Sequence, residues 1–438
     1  MGNYVPTSNL EQQEMLHSIG LEKMSQLFSD VPKDVLLLDS VRIPEGLSEM
    51  GVRQTMESLA DKNTEFKTIL RGAGAYDHFI PAIVTGVTSK EEFVTTYTPY
   101  QAEISQGVLQ SIFEYQTMIS ELTGMDVSNA SVYDGASAAA EAVMMCLARK
   151  RERVFVASTA NPDVISTIRT YCWGRGIPLE LISQKNGLLD METLPALPED
   201  TACVYLQQPN FHGLFEDAPA IEQWTHQAGA KAIMGVYPIS LGLCKTPGEL
   251  GFDIAVGEGQ PLGLPLNFGG PYLGFMTAKK EMLRSLPGRI VGETTDSRGQ
   301  RAFVLTLQAR EQHIRREKAS SNVCTNQALC AMTASVYLAA VGPAGIAEVA
   351  GLCWDGAHYF ESRLTDIKGF ERVHEGEFFN EFITRCPMDK NKFETEMAKH
   401  GVLCGLPVQE GLLWCVTEKA DKQTLDHVLS VIREVSGQ

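Results

Sequence analysis

The chain has 438 residues, of which 44% are hydrophobic and 21% charged, a composition that fits a folded globular protein of two or three domains and excludes a disordered or fibrous one. Its 37 Lys+Arg against 54 Asp+Glu leave a formal net charge of −17. A field of that sign repels phosphate backbones and anionic bilayers, so no nucleic acid and no membrane is expected as a general partner.

At the amino terminus, MGNYVPTSNLEQQEM lacks the basic and apolar regions of a secretory signal, and a cytoplasmic location is expected. Ser8 stands three residues ahead of Glu11, the spacing of a capping box, and Met15, Ile19, Leu21, Met24 and Leu27 follow at helical intervals, so residues 7–30 read as an amphipathic helical arm. Two more helical patterns run from Ile104 to Leu122 and from Ser137 to Ala148, separated by turn-rich residues 124–134. From residue 153 short apolar runs alternate with helices: Val154–Ala157, helix 162–174, Leu179–Ile182, Ala202–Leu206, helix 219–228, Ala232–Val236, Ile254–Val256 and Leu273–Thr277. Continuous apolar runs separated by helices predict a parallel sheet buried on both faces, an α/β fold.

A helix from about Cys324 through Ala340, interrupted at Gly342-Pro343, reads as a bridge between domains. Beyond it, strand-like Glu377–Arg385 and Gly411–Thr417 with helix-like Lys390–His400 and 421–435 predict a small α+β unit. The expected organisation is an arm at 1–65, a large α/β domain at 66–325 and a bridge with the small domain at 326–438. No run approaches the roughly 18 uninterrupted apolar residues of a membrane span. The ten Cys show neither a CxxC pair nor zinc-type Cys/His spacing, so they read as reduced core thiols and no metal is expected.

Four stretches could carry chemistry. Asp134-Gly135-Ala136-Ser137 opens a helix whose free N–H groups suit a phosphate, or simply caps a helix packed closely on its neighbour. Residues 257–274, GEGQPLGLPLNFGGPYLG, follow a strand end, where open α/β sheets place ligands, and equally suit an irregular loop. Residues 95–107 crowd hydroxyl, amide and carboxylate groups around Pro99, as a ligand loop or a surface turn would. Residues 310–322, REQHIRREKASSN, place a basic patch ahead of a hydroxyl-rich turn, a solvated face or an anion site.

Together these segments resemble the amino-terminal half of glycine decarboxylase, the pyridoxal-phosphate P-protein family of the glycine cleavage system. The likeness is carried by the arm ending in LFSDVPKDV, GAGAYDHFIPAIV at 72–84, YTPYQAEISQG at 97–107, EYQTMISELTGMDVSNASVYDGASAAAEA at 114–142, FGGPYLGF at 268–275 and LQAREQHIRREKASSNVCTNQAL at 307–329. A chain of about this length resembles subunit 1 of the two-subunit bacterial form, whose homologous subunit 2 is a separate chain. The resemblance implies the aspartate-aminotransferase fold (fold type I), with a large α/β domain and a small carboxy-terminal domain.

In such enzymes a lysine carries pyridoxal phosphate as a Schiff base, and an Asp keeps the pyridine nitrogen protonated. Here the catalytic pattern is broken. Where the lysine pair belongs the chain reads Gly257-Glu258-Gly259, and where the Asp belongs it reads Val236-Tyr237-Pro238; Lys245, Lys279 and Lys280 lie in unsuitable contexts. The resemblance therefore implies a heteromeric enzyme whose partner chain binds most of the cofactor. Ser320, Ser321 and Asn322 would meet the partner's cofactor phosphate, and Tyr97, Tyr100 and Gln101 would line the glycine pocket, with His78 and Arg310 as weaker candidates. Glycine is the implied substrate and the lipoyl arm of an H-protein the implied acceptor of its aminomethyl group. Two other readings stay open: a self-sufficient pyridoxal-phosphate lyase or transaminase, and a non-catalytic scaffold for the partner.

Overall fold

The computed structural model describes residues 7–37, 43–96, 98–319 and 321–438, which divide into two compact units between Thr64 and Glu65. In the first unit, helix α1 (Asn9–Ser18) starts at the capping box, with Glu11 N–H donating to Ser8 Oγ and Ser8 N–H to the Glu11 carboxylate. The expected continuous arm ends early, because Gly20 takes φ +76° and the chain re-forms only a short turn at Met24–Phe28. A second helix, α2 (Glu49–Ala60), is capped by Ser48.

The second unit holds helices α3 (Gln106–Thr123), α4 (Gly135–Cys146), α5 (Pro162–Arg175) and α6 (Ala218–Gln227) around one sheet. Its strands are β1 (Val127–Ser128), β2 (Arg153–Ala157), β3 (Leu179–Ile182), β4 (Thr201–Gln208), β5 (Lys231–Val236), β6 (Ile254–Glu258) and β7 (Gly274–Ala278), in the order β1-β7-β6-β5-β4-β2-β3. Strands β2 to β6 run parallel, while β7 lies antiparallel to both β6 and β1. Alternate residues feed two cores: Phe155, Val204, Leu206, Met234 and Phe275 pack on one face, and Val156, Tyr205, Ile233, Val256 and Met276 on the other. Burial on both faces explains why the strands read as unbroken apolar runs rather than as alternations.

Beyond the sheet, β8 (Ile290–Thr295) and β9 (Arg301–Thr306) form an antiparallel ribbon that the sequence reading missed. Helix α7 (Ala328–Thr365) is long and apolar enough to span a bilayer, but Gly342 leaves the helical region at φ 62°, ψ 179° ahead of Pro343. Its buried residues enter two cores, Ala331, Ala334 and Tyr337 that of the large sheet and Ala357, Phe360 and Leu364 that of the small domain. This is a kinked core helix, the expected bridge extended to Thr365. The small domain adds β10 (Glu381–Thr384), β11 (Leu406–Pro407), β12 (Leu412–Cys415), α8 (Lys390–Lys399) and α9 (Lys422–Ser436), the last held by an Asp421 cap and by Gly437 in the left-handed region. Thr68-Ile69, from the start of the unit, pair in parallel with Val402-Leu403 of this domain.

Candidate functional site

A cavity of about 350 Å³ opens at the carboxyl ends of β4, β5 and β6, beside the start of α4. Strand ends and a helix start converge there because a parallel sheet with its helices on both faces aligns them at one edge. Glu258, the last residue of β6, stands where the resemblance leads to the expectation of a lysine and is partly buried, lining the cavity. Its Oε2 accepts from Gly135 N–H at 2.9 Å, and its Oε1 accepts from Gln260 and Leu273 N–H, each at 2.9 Å. Burial nevertheless pushes its carboxyl up to about 7, the three N–H donors opposing that shift.

The start of α4 is thus already occupied by carboxylates. Asp134 caps it by accepting from Ser137 N–H at 2.7 Å, and Glu258 takes the Gly135 N–H. Gly135 is required for this approach, since a Cβ there would lie 2.8 Å from the Glu258 nitrogen. Of the two openings weighed for this helix start, the packed and capped one holds.

Tyr237, which follows β5 in the place of the expected Asp, stacks on Tyr76 with ring centroids 4.2 Å apart. Its hydroxyl meets His78 Nε2, and His78 Nδ1 lies 2.6 Å from Glu418 Oε2. Burial pushes Glu418 up, but the His78 contact together with backbone donors, among them Phe79 N–H, outweighs it and leaves the carboxyl below its ordinary range. Tyr76 donates its hydroxyl to Glu381 Oε2 at 2.8 Å, while Glu381 Oε1 accepts from Ala73 N–H at 2.6 Å. Burial pushes Glu381 up to about 7. Gln260 ties Tyr76 to the loop after β6: Tyr76 N–H donates to Gln260 Oε1, and Gln260 Nε2 donates to the Tyr76 and Leu264 carbonyls. Sequence reasoning had noted Tyr237 and Glu258 as departures; it missed Tyr76 and Glu381, whose only signal was their place in the GAGAYDHF and FFNEF segments.

This cavity does not fit pyridoxal phosphate. Among the described residues lining it there is no Lys, Arg or His, and its charged groups are Asp134, Asp163 and Glu258. A phosphate dianion would meet carboxylates at the helix start, an aldehyde would find no amine, and a pyridinium would face a neutral Tyr whose hydroxyl burial holds far from ionisation. Lys245, Lys280 and Lys318 are exposed elsewhere, and Lys279 donates to the Gly251 carbonyl near Asp253.

Of the other residues singled out in the sequence, those described do not line the cavity. Tyr97 and Ser320 fall outside the described residues. Tyr100, half-exposed, accepts from Arg289 Nη2 at 2.9 Å, and the same guanidinium donates to Asn326 Oδ1 and the Cys324 carbonyl. Arg310 donates to the Gly288 carbonyl, one residue before Arg289, at 2.6 Å; burial lowers its guanidinium from the ordinary range. Ser321 Oγ accepts from Val323 N–H at 3.0 Å, while Gln101 and Asn322 are exposed. Arg289 therefore gathers Tyr100 to the segment after Ser321, while His78 alone of the named residues that are described reaches the cavity wall, through Tyr237.

The sequence profile of the family described as glycine cleavage system P-protein matches residues 2–432. A protein of Carboxydothermus hydrogenoformans named probable glycine dehydrogenase (decarboxylating) subunit 1 is 46% identical over 98% of this chain and 99% of its own length. Its namesake in Chlorobium luteolum is 43% identical over 99% of this chain and 100% of its own. Among solved structures, an inhibitor-bound glycine decarboxylase (P-protein) of the glycine cleavage system superposes with a TM-score of 0.93 at 40% identity, covering 99% of this chain and 100% of that one. An aspartate aminotransferase from Thermus thermophilus, at 16% identity and TM-score 0.59 over 84% of this chain and 99% of its own, shares the fold, which is that of fold type I pyridoxal-phosphate enzymes. A profile and relatives that run the full length of both partners leave one assignment: the chain belongs to the glycine cleavage system P-protein family.

Proposed function

We propose that this chain acts in the glycine cleavage system as subunit 1 of glycine dehydrogenase (aminomethyl-transferring), and that a homologous subunit 2 binds pyridoxal phosphate. The observation that carries the reading is Glu258 at the end of β6, held by three backbone N–H groups where a catalytic subunit would keep a lysine. Bound in the partner, the cofactor would supply an electron sink for the decarboxylation of glycine, with the lipoyl arm of an H-protein as the acceptor of the aminomethyl group.

This chain then contributes from across the interface. Ser321 and Asn322, with Ser320, offer hydroxyl and amide donors to the partner's phosphate. Tyr97, Tyr100 and Gln101 border the glycine pocket, and Arg289 orients the Tyr100 hydroxyl. Arg310 orders residues 288–289 behind them, and His78 fixes Tyr237. The division into an arm (1–65), a large domain (66–325) and a bridge with the small domain (326–438), and a cytoplasmic site of action, belong to the same reading.

Borohydride reduction in excess pyridoxal phosphate, followed by intact-mass measurement, tests it. The chain alone gives no adduct at a single lysine, and in the complex the adduct sits on subunit 2. A mapped adduct on this chain would make it a self-contained enzyme and refute the proposal. Unchanged turnover after Ser321→Ala and Tyr100→Phe would instead reduce the chain to a scaffold.

A further inference from the structure

Two clusters of metal-ligating side chains occur among the described residues, and they differ in what their atoms already do. In the first, both nitrogens of His78 are engaged, by Glu418 and Tyr237, and burial pushes the Cys353 thiol well up, so no donor is spare. The second joins His212, His374 and Glu410, whose ligand atoms all lie within 4.8 Å of one another. His374 Nε2 is 2.7 Å from Glu410 Oε2, and His212 Nδ1 is 3.8 Å from the same oxygen. The two imidazoles meet edge to face with centroids 4.8 Å apart. His212 Nδ1 is buried and makes no hydrogen bond, its contact with Glu410 being too long for one.

The backbone holds all three in place. The His212 loop, between β4 and α6, is fixed by Asn210, whose Oδ1 accepts from His212 and Leu214 N–H. It is sewn to the small domain by Phe215 N–H to the Glu377 carbonyl and Phe379 N–H to the Gly213 carbonyl. His374 packs over Gly187, where a Cβ would lie 2.7 Å from its ring. Glu410 sits in the tight turn between β11 and β12, closed by Val408 N–H to the Gly411 carbonyl. The side chains of His212 and His374 are 13% and 8% exposed, while Glu410, at 36%, leaves one side open to solvent.

We infer that His212 Nδ1, His374 Nε2 and a Glu410 oxygen bind a divalent transition metal of the zinc class, with water in the fourth position. Ligand atoms around tetrahedral zinc stand about 3.3 Å apart, so small ring and carboxylate rotations bring the present spacings into register. An ion pair between His374 and Glu410 alone would leave His212 Nδ1 unsatisfied; a metal uses all three donors. Such a metal would staple the loop at 209–215 to the small domain, away from the cavity residues.

The experiment titrates zinc into the chelator-treated full-length chain, by calorimetry and metal analysis, alongside His212→Ala and Glu410→Gln. Cobalt(II) spectra separate imidazole and carboxylate ligation from binding by the ten thiols, which both variants keep. The expected result is one zinc per chain, at least about tenfold weaker in each variant, a zinc-dependent rise in Tm that both variants lose, and no thiolate charge-transfer absorption with cobalt. Because Glu410 is on the surface, Glu410→Gln keeps the comparison valid even if His212→Ala misfolds. Undiminished binding in Glu410→Gln, thiolate charge transfer, or no stoichiometric zinc on the wild-type chain would each overturn the inference.

Discussion

Replacing Glu258 by Gln tests the physical state of the carboxyl at the end of β6. Its pKa moves from 4.5 to about 7 on folding, so the native state binds the extra proton and stabilises the fold fully below pH 4.5. That stabilisation is lost as pH rises through 7. Between pH 5 and pH 8 the loss amounts to about 2.5 kcal/mol, from 1.36 kcal/mol per pKa unit. Gln cannot titrate, so the variant lacks this component. It also turns an amide N–H₂ towards the Gly135 N–H, or loses the Gln260 and Leu273 bonds, at a cost of about 1–3 kcal/mol at any pH. Urea unfolding of both proteins at pH 5, 6, 7 and 8 gives the difference directly. The variant should be the less stable at pH 5 and should close about 2.5 kcal/mol of the gap by pH 8. Parallel curves would mean that the three N–H donors keep Glu258 ionised throughout, and that burial does not dominate this site.

Gly257→Ala should lower stability by about 1–3 kcal/mol in the same assay, because its Cβ would meet the Val236 carbonyl and approach the Phe275 ring to 2.5 Å; an unchanged midpoint would show that β6 can shift. In the complex, Ser321→Ala should raise the pyridoxal phosphate concentration for half-maximal activity about tenfold, one hydrogen bond to a charged group, beyond the small fall in Tm expected from losing its bond with Val323 N–H. Tyr100→Phe frees one Arg289 donor and should lower turnover with glycine at similar Tm; equal losses of turnover and Tm would make its role structural. Thiol titration of the isolated native chain should label Cys324 first, since it alone of the ten cysteines is exposed and seven are buried. Rapid labelling of several would refute the packing around them.

The strands of the large sheet were legible because burial on both faces writes Val154–Ala157, Ala232–Val236 and Ile254–Val256 as continuous apolar runs within two residues of their true ends. The ribbon β8–β9 was not, because its exposed ends carry ETTDSRGQR, a turn-like composition paired across two strands. The arm was over-extended because helical spacing continues past Gly20, whose positive φ overrides it. At the site, the residues Val236-Tyr237-Pro238 and Gly257-Glu258-Gly259 could be read position by position. The contacts around them could not: the Tyr237–His78–Glu418 chain and the Tyr76–Glu381 bond join residues 159 to 340 positions apart. The His212, His374 and Glu410 cluster escaped for the same reason, three single residues from three segments with no local spacing to betray them.

The pairing of Thr68-Ile69 with Val402-Leu403 has a bearing on how this protein can be divided. Leu70 N–H donates to the Leu403 carbonyl, Cys415 N–H returns to the Leu70 carbonyl, and Leu70 itself is fully buried in the small-domain core. A fragment cut at residue 326 would carry β10 to β12 without that strand and without the leucine that fills its core, exposing an unpaired edge to self-association. The small domain is therefore closed by chain made some 330 residues earlier, and on a ribosome its first strand must wait for nearly the whole polypeptide before it has a partner.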